Sequence, residues 1–336
     1  MSIKISKQFK DIKLKGYKEF LKKFLIFIKI LTKFSFWKNR FFFTIPSIFI
    51  IIIIFLLKPL INIRIGLIHR RIGHFLNLEY FLLEDKFFNS KNNFDIWFWP
   101  KYIPNKQIKI MIERKLRTLN FGNRIATEIK NILYLFSLNK YVIIGDNTQG
   151  DRDVNNFLDR TKSQFTLNEI EFKKGIRLLN EMGISTKKPI VCIIIRDPAY
   201  LNIIHPENDF STQDHRDSSI ENYYETARFL ADKGYQVVRM GSIVKERFNI
   251  SHPLIFDYAN SKYRSDFMDV FFAFICKFTI SNPTGWDALP VIFRKPILFV
   301  NDLPLIAMKT YSKKYINIFK HHFNTQNKKY LNMKEI

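Results

Sequence analysis

Only two cysteines stand in the 336 residues, Cys192 and Cys276, each inside a strongly apolar segment. That excludes a disulfide framework or a cysteine-built zinc site, because a thiol in such surroundings behaves as a small hydrophobe. Glycine and proline are scarce, at 11 and 12, and there is no short repeat or long low-complexity tract. No GxxxxGK[ST], GxGxxG, HExxH or GxSxG occurs, which argues against a P-loop NTPase, a GxGxxG dehydrogenase, a zincin and an α/β-hydrolase. Acidic side chains are few as well, 30 Asp or Glu against 54 Lys or Arg, leaving a formal charge of +24.

What is abundant is apolar. Hydrophobic residues make up 47% of the chain and include 35 Phe, enough to bury two domains of ordinary size or one domain and an anchor. A charge of +24 raises two partners, nucleic acid and an anionic membrane surface. The most concentrated excess lies in residues 1–40, with 12 Lys or Arg against Asp11 and Glu19. That stretch adjoins the longest apolar run, and no recognition motif stands out, so the pattern favours the membrane surface over nucleic acid.

Residues 1–60 read as an anchor. Between Gly16 and Phe36, Lys18, Lys22, Lys29 and Lys33 fall on one helical face, and Phe20, Leu21, Phe24, Leu25, Ile28 and Leu31 fill much of the rest. Such a basic amphipathic helix suits anionic lipid; the alternative is a bundle helix with a solvated lysine face. Residues 41–57 then run without a charge, about 26 Å of helix at the short end for a bilayer span. The positive-inside rule would export everything after a full span. The expectation is therefore an anchor that dips into the cytoplasmic leaflet of the inner membrane, with Pro46 or Pro59 as the place for a bend.

Two α/β units follow. The first, 61–165, holds strand-like NIRIGLIH (62–69), FDIWFW (94–99) and YVIIGD (141–146), with a helix over 105–119. The second, 188–310, offers strands over 189–196, 235–241, 253–258, 277–281 and 296–301. Its helix from Ser219 to Lys233 carries a capping-box spacing at Ser218 and Glu221 and ends at Gly234. Continuous apolar strands need cover on both faces, so the fold class is α/β with two Rossmann-like domains behind the anchor, and a tail over 311–336.

In a doubly wound sheet, ligands bind at the carboxyl ends of the strands. After the first strand come Arg70, Arg71, Gly73 and His74: Gly73 permits close backbone approach, and His74 at a helix start can be a general base or a simple cap, with the arginines on acceptor or lipid phosphates. Arg196 ends a strand beside Asp197, as a phosphate fork held by that aspartate or as a structural ion pair. Arg216, Asp217 and Ser218 gather at a helix amino-terminus, where capping explains the last two but not Arg216. Gly241 closes another strand. Ser281, Thr284 and Gly285 form a strand-to-helix turn that can bring amides to a diphosphate or sugar. Asp151 and Asp153 make a DxD arrangement that could hold a divalent cation, though such tripeptides are common in loops.

RIGH after the first strand, RDSSIENY opening a helix, YRSDFMDVFFAF, KFTIS with its glycine turn, and FRKPILFVN together resemble a group of bacterial glycosyltransferases of surface polysaccharide synthesis, over residues 60–335. The resemblance implies a GT-B-like fold, with acceptor on the amino-terminal domain and nucleotide sugar mostly on the carboxy-terminal one, and no bound metal or other cofactor. It implies His74 as the base that deprotonates the acceptor, Arg70, Arg71 and Gly73 as acceptor contacts, and Arg196, Asp197, Arg216, Asp217, Ser218, Gly241, Ser281, Thr284 and Gly285 as donor contacts. Two departures stand out: NPTGW, with Asn282 and Trp286, where a smaller turn is expected, and a chain stopping at YLNMKEI where related proteins continue. The partners implied are a nucleotide-sugar donor, a lipid-linked or glycan acceptor and an anionic membrane; the competing reading is an inactive membrane-bound scaffold of a polysaccharide assembly complex.

Overall fold

The structure, a computed structural model, describes residues 34–88, 93–144, 152–204, 206, 209–332 and 334–335. Most of the lysine-striped stretch expected between Gly16 and Phe36 lies outside them, as does Asp151. The chain divides into two compact units.

The amino-terminal unit comprises, among described residues, 34–68, 93–102 and 116–144. Three parallel strands, β1 (Asn62–Leu67), β2 (Asn93–Phe98) and β3 (Thr118–Leu119), lie in that order. Of the expected strand over 141–146, the described residues 141–144 form a single parallel bridge, Ile143 to Ile65, just after the 3-10 turn Asn139–Tyr141. Cross-strand pairs fix the register: Arg64 donates from Nε and Nη2 to the two Asp95 carboxylate oxygens at 2.6 and 2.7 Å. Gly66 faces Trp97, and a Cβ there would fall 2.3 Å from the indole. Only glycine lets that ring lie flat on β1.

The apolar run is one helix, Phe34–Leu57, which continues through Pro46. One face joins a core of Ile54, Ile65, Ala126, Ile129, Leu133, Val142 and Ile143, packed on the Asn123–Leu135 helix. Among the described residues no helix is long and apolar enough to cross a membrane.

The carboxy-terminal unit is built on six parallel strands: β4 (Ile190–Ile194), β5 (Gln236–Met240), β6 (Ile255–Asp257), β7 (Phe278–Ser281), β8 (Ile297–Asp302) and β9 (Tyr315–Phe319), in spatial order β6-β5-β4-β7-β8-β9. All five residues of β4 are buried, as its unbroken apolar sequence requires of a strand covered on both faces. One cover is Ile220, Tyr223, Ala227 and Leu230 with Phe248; the other is the Asp266–Ile275 helix, where every residue from Phe267 to Ala273 is buried and Asp269 is the one polar side chain among them. The order reverses between β4 and β7, which makes their carboxyl ends the topological switch point.

The units do not coincide with the segments 61–165 and 188–310. Residues 69–88 and 103–115 cluster with the carboxy-terminal unit, and two polar devices show why. Glu79, on the Phe75–Phe88 helix, accepts from Arg294 at 2.6 Å and from the Gln164 amide at 3.1 Å. Burial pushes the Glu79 carboxyl up, against the opposing charge of Arg294. Asn105 caps the Lys106–Glu113 helix and donates to the Asp266 carbonyl at 2.9 Å. The expected helix over 105–119 accordingly stops at Glu113, and Thr118–Leu119 become β3.

Candidate functional site

At the carboxyl ends of β4 and β7 the carboxy-terminal unit gathers charge. Just past β4, Arg196 donates from Nε to Asp217 at 2.9 Å and from Nη2 to Gln213 at 3.4 Å. The aspartate that holds Arg196 is therefore Asp217, not its sequence neighbour. Asp197 instead accepts from the amides of Ala199 (2.7 Å) and Lys245 (2.6 Å), tying the loop after β5 to the turn after β4. Gly241 belongs to the same loop, where a Cβ would lie 2.5 Å from Val244 Cγ1; its smallness serves packing.

Arg216 ends a 3-10 turn, Ser211–Arg216. Its one hydrogen bond among the described residues runs from Nη2 to the Pro283 carbonyl at 3.4 Å, so most of its five donors are uncommitted. Burial and the nearby Arg196 lower its pKa, against Asp302, Asp217 and Asp287; the guanidinium stays charged. Burial raises Asp217 in turn, against Arg196. The capping box at Ser218 and Glu221 does not form: Ser219 accepts from the Glu221 amide at 3.3 Å, and the first turn, Ile220–Tyr223, is 3-10 before the α-helix Tyr224–Asp232. Ser218 contributes its amide, to the Arg196 carbonyl at 3.2 Å.

The turn after β7 is tightly built. Ser281 is fully buried and donates to Asp287 at 2.6 Å, while the Thr284 amide donates to the other Asp287 oxygen at 2.7 Å. Ser281 thereby supports the turn. Burial raises the Asp287 carboxyl to about 6, against Lys309 and these donors. Asn282 accepts from the Arg196 amide (3.2 Å) and donates to the Val300 carbonyl (3.3 Å), and Trp286 donates to the Asp269 carbonyl at 3.0 Å. Both departures from a smaller turn are thus structural staples.

Gly73 and Gly285 meet backbone to backbone. A Cβ on Gly73 would sit 3.2 Å from Gly285 Cα, and one on Gly285 would sit 3.2 Å from Ile72 Cγ2 and 3.4 Å from the Gly73 nitrogen. The close approach that both glycines allow is to each other. It seats the RIGH turn, a 3-10 element over Ile72–His74, against Gly285–Asp287. His74 is exposed there, its ring stacked on His69 with centroids 4.3 Å apart. Arg70 and Arg71 are exposed beside it.

Sequence reasoning passed over three groups. Asp302 is buried at the end of β8, its carboxyl raised by burial against Lys309 and Arg216; Lys309 sits opposite both buried carboxylates; His69 completes the histidine pair. An aspartate ending an apolar strand was the one available signal. Asp153, by contrast, is spent: its oxygens accept from the amides of Phe157 (2.8 Å) and Leu158 (2.6 Å). It caps the short helix Phe157–Arg160 from outside.

No family model and no curated protein sequence matches the chain. Two of the solved structures that resemble it are the following. The ADP-heptose LPS heptosyltransferase II of E. coli is 13% identical, with 79% of this chain and 92% of that one covered, at a TM-score of 0.45. A glycosyl transferase of family 9 from Veillonella parvula is 10% identical, covering 78% and 87%, at a TM-score of 0.51. The second likeness is one of fold: an α/β fold with parallel sheets of the kind expected from the sequence.

Proposed function

We propose that the protein is a membrane-associated glycosyltransferase that moves a sugar from a nucleotide-sugar donor to a lipid-linked or polysaccharide acceptor at the cytoplasmic face of the inner membrane. One observation carries the reading: the Gly73–Gly285 contact seats His74 beside the turn whose Pro283 carbonyl touches Arg216. A general base and a cation with uncommitted donors then share one strand-end region, as transfer of a group from a diphosphate requires.

In this reading the donor diphosphate lies at the ends of β4 and β7. Arg216 meets it directly, and Arg196, braced by Asp217, adds charge behind. His74 takes the proton of the acceptor hydroxyl as its oxygen bonds to the anomeric carbon. The bond from that carbon to the diphosphate oxygen breaks, and the electron pair leaves with the diphosphate, whose charge the arginines offset. Arg70 and Arg71, exposed beside His74, would meet acceptor phosphate. Thr284 and Gly285, committed to Asp287 and Gly73, would shape the turn beside the donor.

The inactive scaffold remains a second reading, because Ser281, Asp197 and Asp217 are taken up by internal bonds. Detergent-solubilised protein, screened against nucleotide sugars with and without magnesium, tests the choice. The transferase reading expects turnover that falls by roughly 10²- to 10⁴-fold in His74→Ala. Turnover unchanged in both His74→Ala and Arg216→Ala would refute the site.

A further inference from the structure

The Phe34–Leu57 helix shows two unlike faces. One is fastened to its own unit: Thr44 donates to Glu128 at 3.1 Å, buried Ser47 donates to the Ile125 carbonyl at 3.3 Å, and Ile54 is buried in the core with Ile65 and Leu133. The other carries Phe41, Phe42, Ile45, Ile48, Phe49, Ile52, Ile53 and Leu56, all exposed, Phe42 by 74% and Leu56 by 72%. These recur at one, four, seven and eight residues, a stripe from Phe41 to Leu56.

A water-facing surface does not hold such a stripe, and the flanks choose its occupant. A second copy of the chain would be met through a narrow seam with charges alongside. Here the stripe is three residues wide, and no charged residue occurs between Phe41 and Leu57. Cations stand at its carboxyl end and on the helix packed beside it instead: Lys58 Nζ lies 5.6 Å from the Phe55 ring, and the Arg124 guanidinium lies 5.6 Å from the Phe43 ring. Residues 1–40 add the densest basic charge of the sequence. An apolar band with cations at its borders matches an anionic lipid surface.

We infer that this helix lies along one leaflet of an anionic membrane, its Phe42–Leu56 face in the lipid and its Ser47–Ile54 face on the protein, without crossing. The inference deepens the membrane association proposed above and rests on it, but not on the transferase chemistry. The reason is the company the helix keeps. Only four residues separate its end from β1, and Ile63 and Ile65 of β1 pack back against it in the same core. A perpendicular crossing would carry β1 and β2 to the same depth, with the Arg64–Asp95 pair, the Asn62–Asn93 pair and Glu128 in hydrocarbon. An unclosed parallel sheet is not tolerated there. Lying flat, the helix wets only the stripe with lipid and keeps those groups in water.

Depth measurement separates the possibilities. Single cysteines replace Phe42, Phe49 or Leu56 in the full chain, each carrying a fluorophore; native Cys192 and Cys276 are buried and stay unlabelled. The protein is bound to vesicles of phosphatidylcholine with phosphatidylglycerol, and quenching by lipids spin-labelled near the headgroup or deep in the acyl chain is compared. The expected result is equal, shallow quenching at all three sites. Deep quenching at Phe49 with Phe42 and Leu56 shallow would mean a crossing and overturn the inference, leaving membrane association standing. No vesicle binding, or a bound dimer whose labels are unquenched, would overturn both. Replacing Phe42, Phe49 and Leu56 together by Glu should lower vesicle binding by roughly tenfold or more with nucleotide-sugar turnover in detergent unchanged, a result that unfolding could not mimic.

Discussion

In the amino-terminal unit three short strands support one long helix, and the most apolar surface of that unit faces outward. In the carboxy-terminal unit six strands are covered on both faces, and its apolar material is inside while charge collects at the strand ends. The same parallel arrangement thus serves two purposes. Where cover is complete, the only polar backbone left for chemistry is at the strand ends; where it is not, the outer face of the Phe34–Leu57 helix keeps its apolar side chains exposed. The RIGH turn belongs, by its packing, to the carboxy-terminal unit, although in sequence it follows a strand of the amino-terminal one.

The strongest way to break that assignment is to cut the pair that holds it. Arg294→Met would leave Glu79 buried without its cation and should cost about 3 to 5 kcal/mol. Hydrogen exchange should show the Phe75–Phe88 helix losing protection together with β7 and β8, while β1 and β2 keep theirs. Equal loss in β1 would mean that the helix belongs with the amino-terminal strands. Next in size, Gly285→Val would push Ile72 and Gly73 away from the turn. Because a shift of about 1 Å in a reacting group can cost on the order of 10²-fold, turnover should fall by that factor while unfolding free energy drops by about 1 to 3 kcal/mol.

A smaller effect is written in pH. Burial raises Asp287 to about 6, against Lys309, and Asp269 to about 6, against Arg264. A carboxyl whose pKa is raised on folding stabilises the fold while protonated. Its contribution is complete below the ordinary carboxylate range, near pH 4, and is lost as pH rises through about 6. Urea unfolding should therefore give a lower free energy at neutral than at mildly acidic pH, by about 2 to 3 kcal/mol per group. Asp287→Asn should flatten that slope, and no flattening would mean that Asp287 is already ionised in the folded protein at low pH.

The strand ends were legible because β4, β5, β7 and β8 are apolar runs that stop at polar residues, so Arg196 and the Ser281–Gly285 turn could be placed from order alone. Which partner each polar group takes was not. Arg196 passes over Asp197 for Asp217, and Ser281 points at Asp287 rather than outward. Both choices depend on where the turn bends, and sequence spacing does not carry that. The Glu79–Arg294 pair spans 215 positions, and the Gly73–Gly285 contact is just as remote, so the placement of RIGH required the folded chain. The helix of residues 41–57 was legible as apolar; that half of it packs on protein rests on Thr44 and Ser47, two small polar residues easily passed over in such a run.

Calorimetric titration of the detergent-solubilised protein with a panel of nucleoside diphosphates tests the central claim most directly. The account predicts that one of them binds, that Arg216→Ala abolishes the binding, and that His74→Ala leaves it intact while lowering sugar transfer by roughly 10²- to 10⁴-fold. No binding of any nucleoside diphosphate, or binding that survives Arg216→Ala unchanged, would contradict it.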